Sequence, residues 1–422
     1  MIGQVCKFRD RCQLDVRVGA PGSVLVRKGD PMDFELSQEQ QMFCDSVRSF
    51  AERHLADGTV ERAHRSGFPW DVARLLAKQG LVGIGVAEAD GGVGGTLMDA
   101  VLAIEQIALI CPRSSDLIHS YNFGAIRTFM ENASAEQKGR FLPKLLRAES
   151  LMAVAMTEPE AGSAVTDLKT AATPDGDGFR INGTKVFTTN SQDADLFLVY
   201  VRFGPGVDGI GSVILERGMP GFSFGQPSGF MGGDPWCQLY FGDCYIKPEN
   251  VLLGKGGFKK QIAGFNVERL GNSARALALG RYAYNQARSH TLTRKQFGKS
   301  LCEFQGVQWK FVEMATQLDA AQLLLYRAVR NAENALPSAY DTAMAKLACN
   351  RAGFEVANES LQVMGGIGFS TEMLVEYCVR RTRGWMIAGG SIEMMKNRLA
   401  ELIFERSFSQ RAQQTECVLL AK

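Results

Sequence analysis

What this sequence lacks narrows its chemistry first. No uninterrupted apolar run among its 422 residues approaches the length needed to cross a bilayer. Its charge is nearly balanced at +2, so no basic field points to nucleic acid or an anionic membrane as partner. The ten cysteines lie far apart with no pair at metal-ligand spacing, which suits reduced thiols in a cytosol-like compartment. The four histidines, His54, His64, His119 and His290, form no cluster. These gaps disfavour a zinc enzyme and a Ser-His-Asp hydrolase. Strand–helix alternation and internal repeats are also missing, which argues against a Rossmann sheet or a solenoid. Gly83-Ile84-Gly85 approaches a dinucleotide fingerprint but has Glu88 in place of the third glycine, and it reads as a helix terminator.

The chain is long enough to bury a substantial core. Residues 1–31 mix Lys7, Arg9, Arg11 and Arg17 with Asp10 and Asp15. They resemble neither a secretory core nor an acid-free transit peptide. They read as a poorly ordered extension, from a start codon assigned too early. Helical periodicity then governs residues 32–151: Ser37 with Gln40 forms a capping-box pattern, and Phe43, Val47, Phe50 and His54 follow at helical spacing. Between 152 and 260 the pattern turns to strands. Phe179 to Phe187 reads as a hairpin joined at Asn182-Gly183, and Leu196–Val201 and Ser212–Leu215 read as further strands. Helices return over 261–411, with long candidates at Phe304–Ala335 and Tyr340–Met364, before a tail at 412–422. The expected fold class is α+β, mostly α: a helical N-terminal domain, a central β domain and a helical C-terminal domain.

Four local patterns carry chemistry. Met156-Thr157-Glu158-Pro159-Glu160-Ala161-Gly162-Ser163 is a turn whose hydroxyls and backbone N–H groups suit the edge of a polar heterocycle, or an ordinary solvated loop. In Lys185 to Asn190, Phe187 and Thr189 share a strand face, so one can cover an aromatic ring while the other bonds its edge. A core aromatic beside a surface threonine gives the same pattern. Asn266-Val267-Glu268-Arg269-Leu270 stands at the start of an apolar helix, where Glu268 is either a dipole partner or a general base. The last pattern is split between Arg294-Lys295-Gln296-Phe297-Gly298 with Gln305, the run from Gln362 to Phe369, and Gly389-Gly390-Ser391-Ile392-Glu393. Arginine with glycine-lined backbone is what a pyrophosphate needs, although each piece alone also fits a surface cation or a helix cap.

From Met32 to about Arg411, these runs in this order and spacing resemble the acyl-CoA dehydrogenase family. The resemblance implies an N-terminal helical domain, a central β barrel and a C-terminal four-helix bundle, assembled as a homotetramer, a dimer of dimers. It implies FAD as cofactor, acyl-CoA as substrate and an electron-transfer flavoprotein as acceptor, in a cytoplasm of bacterial type rather than a mitochondrial matrix. By the same resemblance Met156, Thr157 and Thr189 contact the flavin with Phe187 beside them, and Ser163 lies near the flavin or the pantetheine arm. Arg294, Phe297, Gln305, Gln362 and Gly366 reach the FAD of a neighbouring subunit, and Ser391 and Glu393 contact the cofactor.

Many members carry a glutamate base immediately before the Gly-Thr of the late motif, but here that position is Gly389. A second group, like isovaleryl- and long-chain acyl-CoA dehydrogenases, places the base where Glu268 stands. Glu268 is therefore the expected base. The resemblance makes Gly389 N–H and the ribityl 2′-hydroxyl donors to the thioester carbonyl, and β-hydride transfer to flavin N5 gives a 2,3-enoyl-CoA. Arg269 is a pocket residue or a structural ion-pair member. Small Ala388 and Gly389 leave room for a branched or bulky acyl group, unless Trp236 or Trp385 refills it. Competing readings are an enoyl-CoA reductase of the crotonobetainyl-CoA reductase type, an acyl-CoA oxidase, a desulfinase without a base, and a flavin-binding scaffold without turnover.

Overall fold

The computed structural model describes residues 35–332 and 336–409; the expected extension over 1–31 and the tail over 412–422 lie outside the described residues. Helix α1 (Gln38–Leu55) begins at the expected capping box. The Gln40 N–H donates to the Ser37 hydroxyl at 3.2 Å, and the Ser37 N–H donates to Gln40 Oε1 at 3.1 Å. α2 (Thr59–His64) and α3 (Trp70–Lys78) follow. α3 stops just before Gly80, whose φ is +74°, so Gly83-Ile84-Gly85 lies in the turn beyond and terminates no helix. A capping box between Thr96 and Asp99 opens α4 (Leu97–Ile110), and Pro112 opens α5 (Pro112–Asn122). Both are buried on nearly every side, which places them at the centre of the layer. α6 (Gly124–Asn132) and α7 (Ala135–Leu146) complete it.

Among the described residues nine strands form the central sheet: β1 (Met152–Ala155), β2 (Ala171–Asp175), β3 (Gly178–Thr189), β4 (Leu196–Arg202), β5 (Ile210–Glu216), β6 (Phe222–Phe224), β7 (Ser228–Gly229), β8 (Pro235–Ile246) and β9 (Val251–Leu253). Their order is β6-β8-β3-β2-β4-β5-β9, with β1 parallel to β4 and β7 against β8. β4 and β5 coincide with the two expected strand runs and are buried on both faces. Leu196, Leu198 and Ile214 pack on Phe129 and Phe141, while Phe197, Val199 and Val213 enter the main core.

The expected hairpin at Asn182-Gly183 does not form. β3 runs through it as one strand, and the real turn is Gly176-Asp177, between the paired Asp175 and Gly178. Asn182 instead lies opposite a bulge in β8, where Gly242 and Asp243 together face it, and Gly183 follows at φ +149°. The Asn182 side chain explains the difference. Its amide donates to Asp243 Oδ1 at 3.0 Å and its carbonyl accepts from Asp243 N–H at 2.9 Å, so it serves a cross-strand bridge rather than a turn.

The C-terminal layer holds α8 (Phe258–Thr293), the two-stranded ribbon β10 (Lys295–Gln296) and β11 (Lys299–Ser300), α9 (Gln305–Arg330), α10 (Ala339–Met364), α11 (Gly366–Phe369), α12 (Val375–Trp385) and α13 (Ile392–Ile403). The two long helices expected here are α9, which stops short at Arg330, and α10. α8 and α10 cross in close contact because Gly280 and Gly353 meet there without side chains. A Cβ on Gly353 would lie 2.2 Å from the Ala276 carbonyl oxygen, and one on Gly280 would lie 2.9 Å from Gly353 Cα.

A buried charge cluster ties the layers together. Asp116 on α5 meets Arg381 of α12 at 2.6 Å, Arg275 of α8 at 3.2 Å and Arg113 at 3.5 Å. Asp234, immediately before β8, pairs with Arg113 at 2.7 Å and with Arg381. Burial would push the Asp234 carboxyl up, but the Arg381 and Arg113 guanidiniums outweigh it and hold it well below the usual carboxylate range. Because the folded-state value is depressed, its contribution to stability is present above the unfolded value, about 4, and is lost as pH falls below it. Asp234→Asn should destabilise the protein by about 3–5 kcal/mol at neutral pH. It should also flatten the loss of stability below about pH 4, as read by urea unfolding of both proteins across pH.

Candidate active site

Glu268 lies well inside α8, which begins at Phe258, so the expectation that it stands at a helix start is corrected and the dipole reading goes with it. Its side chain is 15% exposed. Oε1 accepts from Asn272 Nδ2 at 2.9 Å, one helical turn on. Oε2 lies 3.1 Å from His119 Nε2 on α5, and neither buried atom has another hydrogen-bond partner among the described residues. Lys346 of α10 is fully buried nearby; its ammonium donates to the carbonyls of Ala388 at 2.8 Å and Trp385 at 3.2 Å. Asn350 Nδ2 donates to the same Trp385 carbonyl at 2.7 Å, and Arg269 Nε donates to the Gly389 carbonyl at 3.1 Å. Three side chains from α8 and α10 thus clamp the turn after α12.

Burial pushes the Glu268 carboxyl up, but the nearby positive charge of His119, Arg275 and Lys346 outweighs it, and the net shift is downward. His119 shifts down as well, first by burial and then by the Arg275 charge. The two shifts compete, because a neutral His119 offers Glu268 no charge. Burial and the Arg275 charge oppose protonation of His119 while Glu268 favours it, and the Arg275 charge acts on Glu268 in either case. Burial also brings the Lys346 ammonium down to about 7, helped by the Arg269 charge.

Gly389 does not open the volume expected of it. A Cβ there would stand 2.9 Å from Asn272 Nδ2 and 3.6 Å from Lys346 Nζ, on a residue with φ +74°. The Asn272 amide stands where a side chain at 389 would begin, with Lys346 in contact beside it. Trp385 is buried under Arg275 and Arg381 at 4.5 and 5.1 Å from its ring, while Ala388 is exposed. Arg269 forms no ion pair among the described residues; besides the Gly389 carbonyl it bonds Asn266 Oδ1 at 2.9 Å.

A second group forms where the Met156–Ser163 loop meets β3. Lys185, fully buried, donates to the Met156 carbonyl at 3.0 Å and to Glu158 Oε1 at 2.8 Å. Val186 N–H donates to the Thr157 carbonyl at 2.9 Å. Beside this joint Phe187 is 55% exposed, with its ring 4.7 Å from Trp236 and 6.1 Å from Phe230. Thr189 is exposed too and pairs with Trp236 across the strands. An open aromatic shelf thus borders a polar turn. Asp234, two residues before Trp236, joins this shelf through the charge cluster to Arg275, which donates to Asn272 Oδ1 at 2.5 Å.

Three family models match the chain in sequence: acyl-CoA dehydrogenase, N-terminal domain, over residues 37–149; middle domain, over 153–244; and C-terminal domain, over 255–404. The chain belongs to the acyl-CoA dehydrogenase family. It is 31% identical over 378 residues to a short-chain-specific acyl-CoA dehydrogenase of Clostridium acetobutylicum, covering 88% of this chain and 100% of the relative. It is 34% identical to a mitochondrial isobutyryl-CoA dehydrogenase of Dictyostelium discoideum, over 89% of this chain and 90% of the relative. The solved butyryl-CoA dehydrogenase of Megasphaera elsdenii superposes with a TM-score of 0.83 at 30% identity, over 88% of this chain and 100% of that one.

The acyl-CoA dehydrogenase family is FAD-dependent. The shelf of Phe187 and Trp236 beside the Met156–Thr157 turn fits such a group, offering a ring surface and a polar edge together. Other residues expected at the cofactor are dispersed. Ser163 is exposed on its loop. Arg294 follows α8, Phe297 is 95% exposed at the tip of the β10–β11 ribbon, and Gln305 opens α9. Gln362 and Gly366 are exposed near the end of α10, brought close to the start of α9 by the Lys310–Glu359 pair. Ser391 caps α13, and Glu393 is exposed in its first turn.

Sequence reasoning missed His119, Asn272, Arg275 and Lys346. Asn272 was findable from its position four residues after Glu268 on a helix, whereas His119 and Lys346 come from distant helices with no local signal. Gly389→Ala should cost about 1–3 kcal/mol through backbone strain and displacement of Asn272, measured by chemical denaturation. Lys185→Met should strand the Glu158 carboxylate, lowering stability by about 3–5 kcal/mol and weakening flavin retention on gel filtration.

Proposed function

We propose that this chain is a FAD-dependent acyl-CoA dehydrogenase whose general base is Glu268. One observation carries the assignment. Position 389 holds no carboxylate, and the Asn272 amide stands where its side chain would begin. Glu268 is meanwhile held next to that same turn, with Oε1 on the Asn272 amide and Oε2 against the His119 imidazole. Asp116, the other carboxylate near this cluster, is committed to Arg113, Arg275 and Arg381.

In the proposed reaction the α C–H bond of the thioester breaks and its proton passes to Glu268. Bound FAD supplies the two-electron acceptor for the β hydride, so that a carbon–carbon double bond remains. The α proton is too weakly acidic for a carboxylate alone, so charge developing on the carbonyl oxygen needs a donor. The Gly389 N–H is the proposed donor, held by the clamp of Lys346, Asn350 and Arg269 on its turn. Thioester binding would cover the remaining exposure of Glu268 and push its carboxyl up towards the working pH.

Met156, Thr157, Phe187 and Thr189 would hold the flavin ring, with Ser163 near the flavin or the pantetheine arm. Ser391 and Glu393 would contact the cofactor as well. Arg294, Phe297, Gln305, Gln362 and Gly366, all exposed here, would reach the cofactor of a neighbouring copy in a homotetramer. Arg269 would act by holding Gly389. A branched or bulky short acyl group is favoured by the small Ala388 and by the isobutyryl-CoA dehydrogenase relative, not by Gly389. The family resemblance supports an electron-transfer flavoprotein as acceptor. No helix among the described residues is long and apolar enough to cross a membrane.

Anaerobic stopped-flow mixing with butyryl-CoA and isobutyryl-CoA tests the base. Glu268→Gln should retain its yellow flavin yet lose about 10²–10⁴-fold in the rate of bleaching. Bleaching at the wild-type rate would remove Glu268 from the role.

A further inference from the structure

The base-bearing turn of α8 holds a residue that the reaction as described does not use. The Asn272 amide could in principle face Glu268 with either its oxygen or its nitrogen. Arg275, which cannot accept a hydrogen bond, donates to Oδ1 at 2.5 Å, so Nδ2 is the group that meets Glu268 Oε1 at 2.9 Å. Arg275 is in turn fixed by Asp116 at 3.2 Å and lies over the Trp385 ring at 4.5 Å. A chain of fixed donors thus runs from the interlayer charge cluster to one oxygen of the base.

We propose that Asn272 is a positioning residue for Glu268, whose amide holds Oε1, fixes the orientation of the carboxylate and favours its ionised form. This inference rests on the reading of Glu268 as the base. Other charged or titratable groups facing Glu268 are His119 and Asp116 on α5, Lys346 on α10, Tyr200 on β4, and Arg269 and Arg275 on its own helix. His119 faces Oε2 at 3.1 Å and Lys346 donates to backbone carbonyls, while the Asn272 amide is the donor on Oε1. The same amide stands where a side chain at 389 would begin, so the residue that orients this base also blocks the alternative position.

The test uses Asn272→Asp and Asn272→Leu in the flavin-loaded enzyme. Asn272→Asp keeps the side-chain shape and a partner for Arg275 but turns the donor facing Glu268 into an acceptor. Infrared titration of the carboxyl band that disappears in Glu268→Gln reads the ionisation directly, without substrate. The pH profile of flavin reduction by butyryl-CoA reads it in the reaction. Both variants should move the Glu268 titration, and with it the acid limb of the profile, upward by about one to two pH units. Because Asn272→Asp also adds a negative charge beside Glu268, an unchanged titration in Asn272→Leu, which adds none and leaves Arg275 paired with Asp116, would overturn the proposal. If Glu268→Gln still bleached at the wild-type rate while the infrared titration shifted as expected, the base assignment would fail and the positioning contact would stand.

Discussion

The structure depends on one buried knot of charge. Asp116 and Asp234 face three guanidiniums, Arg113, Arg275 and Arg381, in an interior where every one of them has lost its water. Ions removed from water are tolerable only where partners stand at fixed distances, so such a cluster specifies registry more than it adds stability. Its members come from α5, the segment before β8, α8 and α12, so the helical layers and the sheet must meet in one arrangement. On one side the knot holds the segment that carries Trp236 against Phe187. On the other it holds Arg275, and through Asn272 the carboxylate of Glu268. The shelf for a flavin ring and the base that would work beside it are thereby referred to the same anchor.

The absence of a side chain at position 389 and the presence of Glu268 are two aspects of one packing solution. α8 brings a carboxylate and an amide to the turn after α12, and the amide occupies the space where a carboxylate on that turn would begin. Gly389, in a left-handed conformation, leaves its N–H as what that residue can offer. A carboxylate moved back to 389 would first have to expel Asn272, and with it the partner of Arg275. Changing the base position in this protein is therefore a change of several residues.

Much of this was legible in sequence where the signal is local. The Ser37 capping box, the buried runs of β4 and β5 and the extent of α10 follow from patterns a few residues long. Longer-range organisation showed only through the family resemblance. Errors arose where a local cue was used for something non-local: Asn182-Gly183 serves a bridge to Asp243 rather than a turn, and α8 begins ahead of the polar run that seemed to open it. Small residues at 388 and 389 implied space, but whether glycine leaves a void depends on what faces it, and Asn272 faces it from another helix. His119 meeting Glu268, and Lys346 meeting Ala388, join residues far apart in the chain and carry no periodic or spacing signal.

The central claim is that the proton leaves the substrate towards α8 and not towards the turn after α12. A crystal structure of the FAD-loaded protein with an acyl-CoA whose β carbon carries no hydrogen tests it most directly. The account predicts the Glu268 carboxylate in contact with the α carbon, the thioester carbonyl on the Gly389 N–H, and Asn272 still bonded to the carboxylate. A thioester bound with its α carbon out of reach of Glu268, or facing a different ionisable side chain, would contradict it.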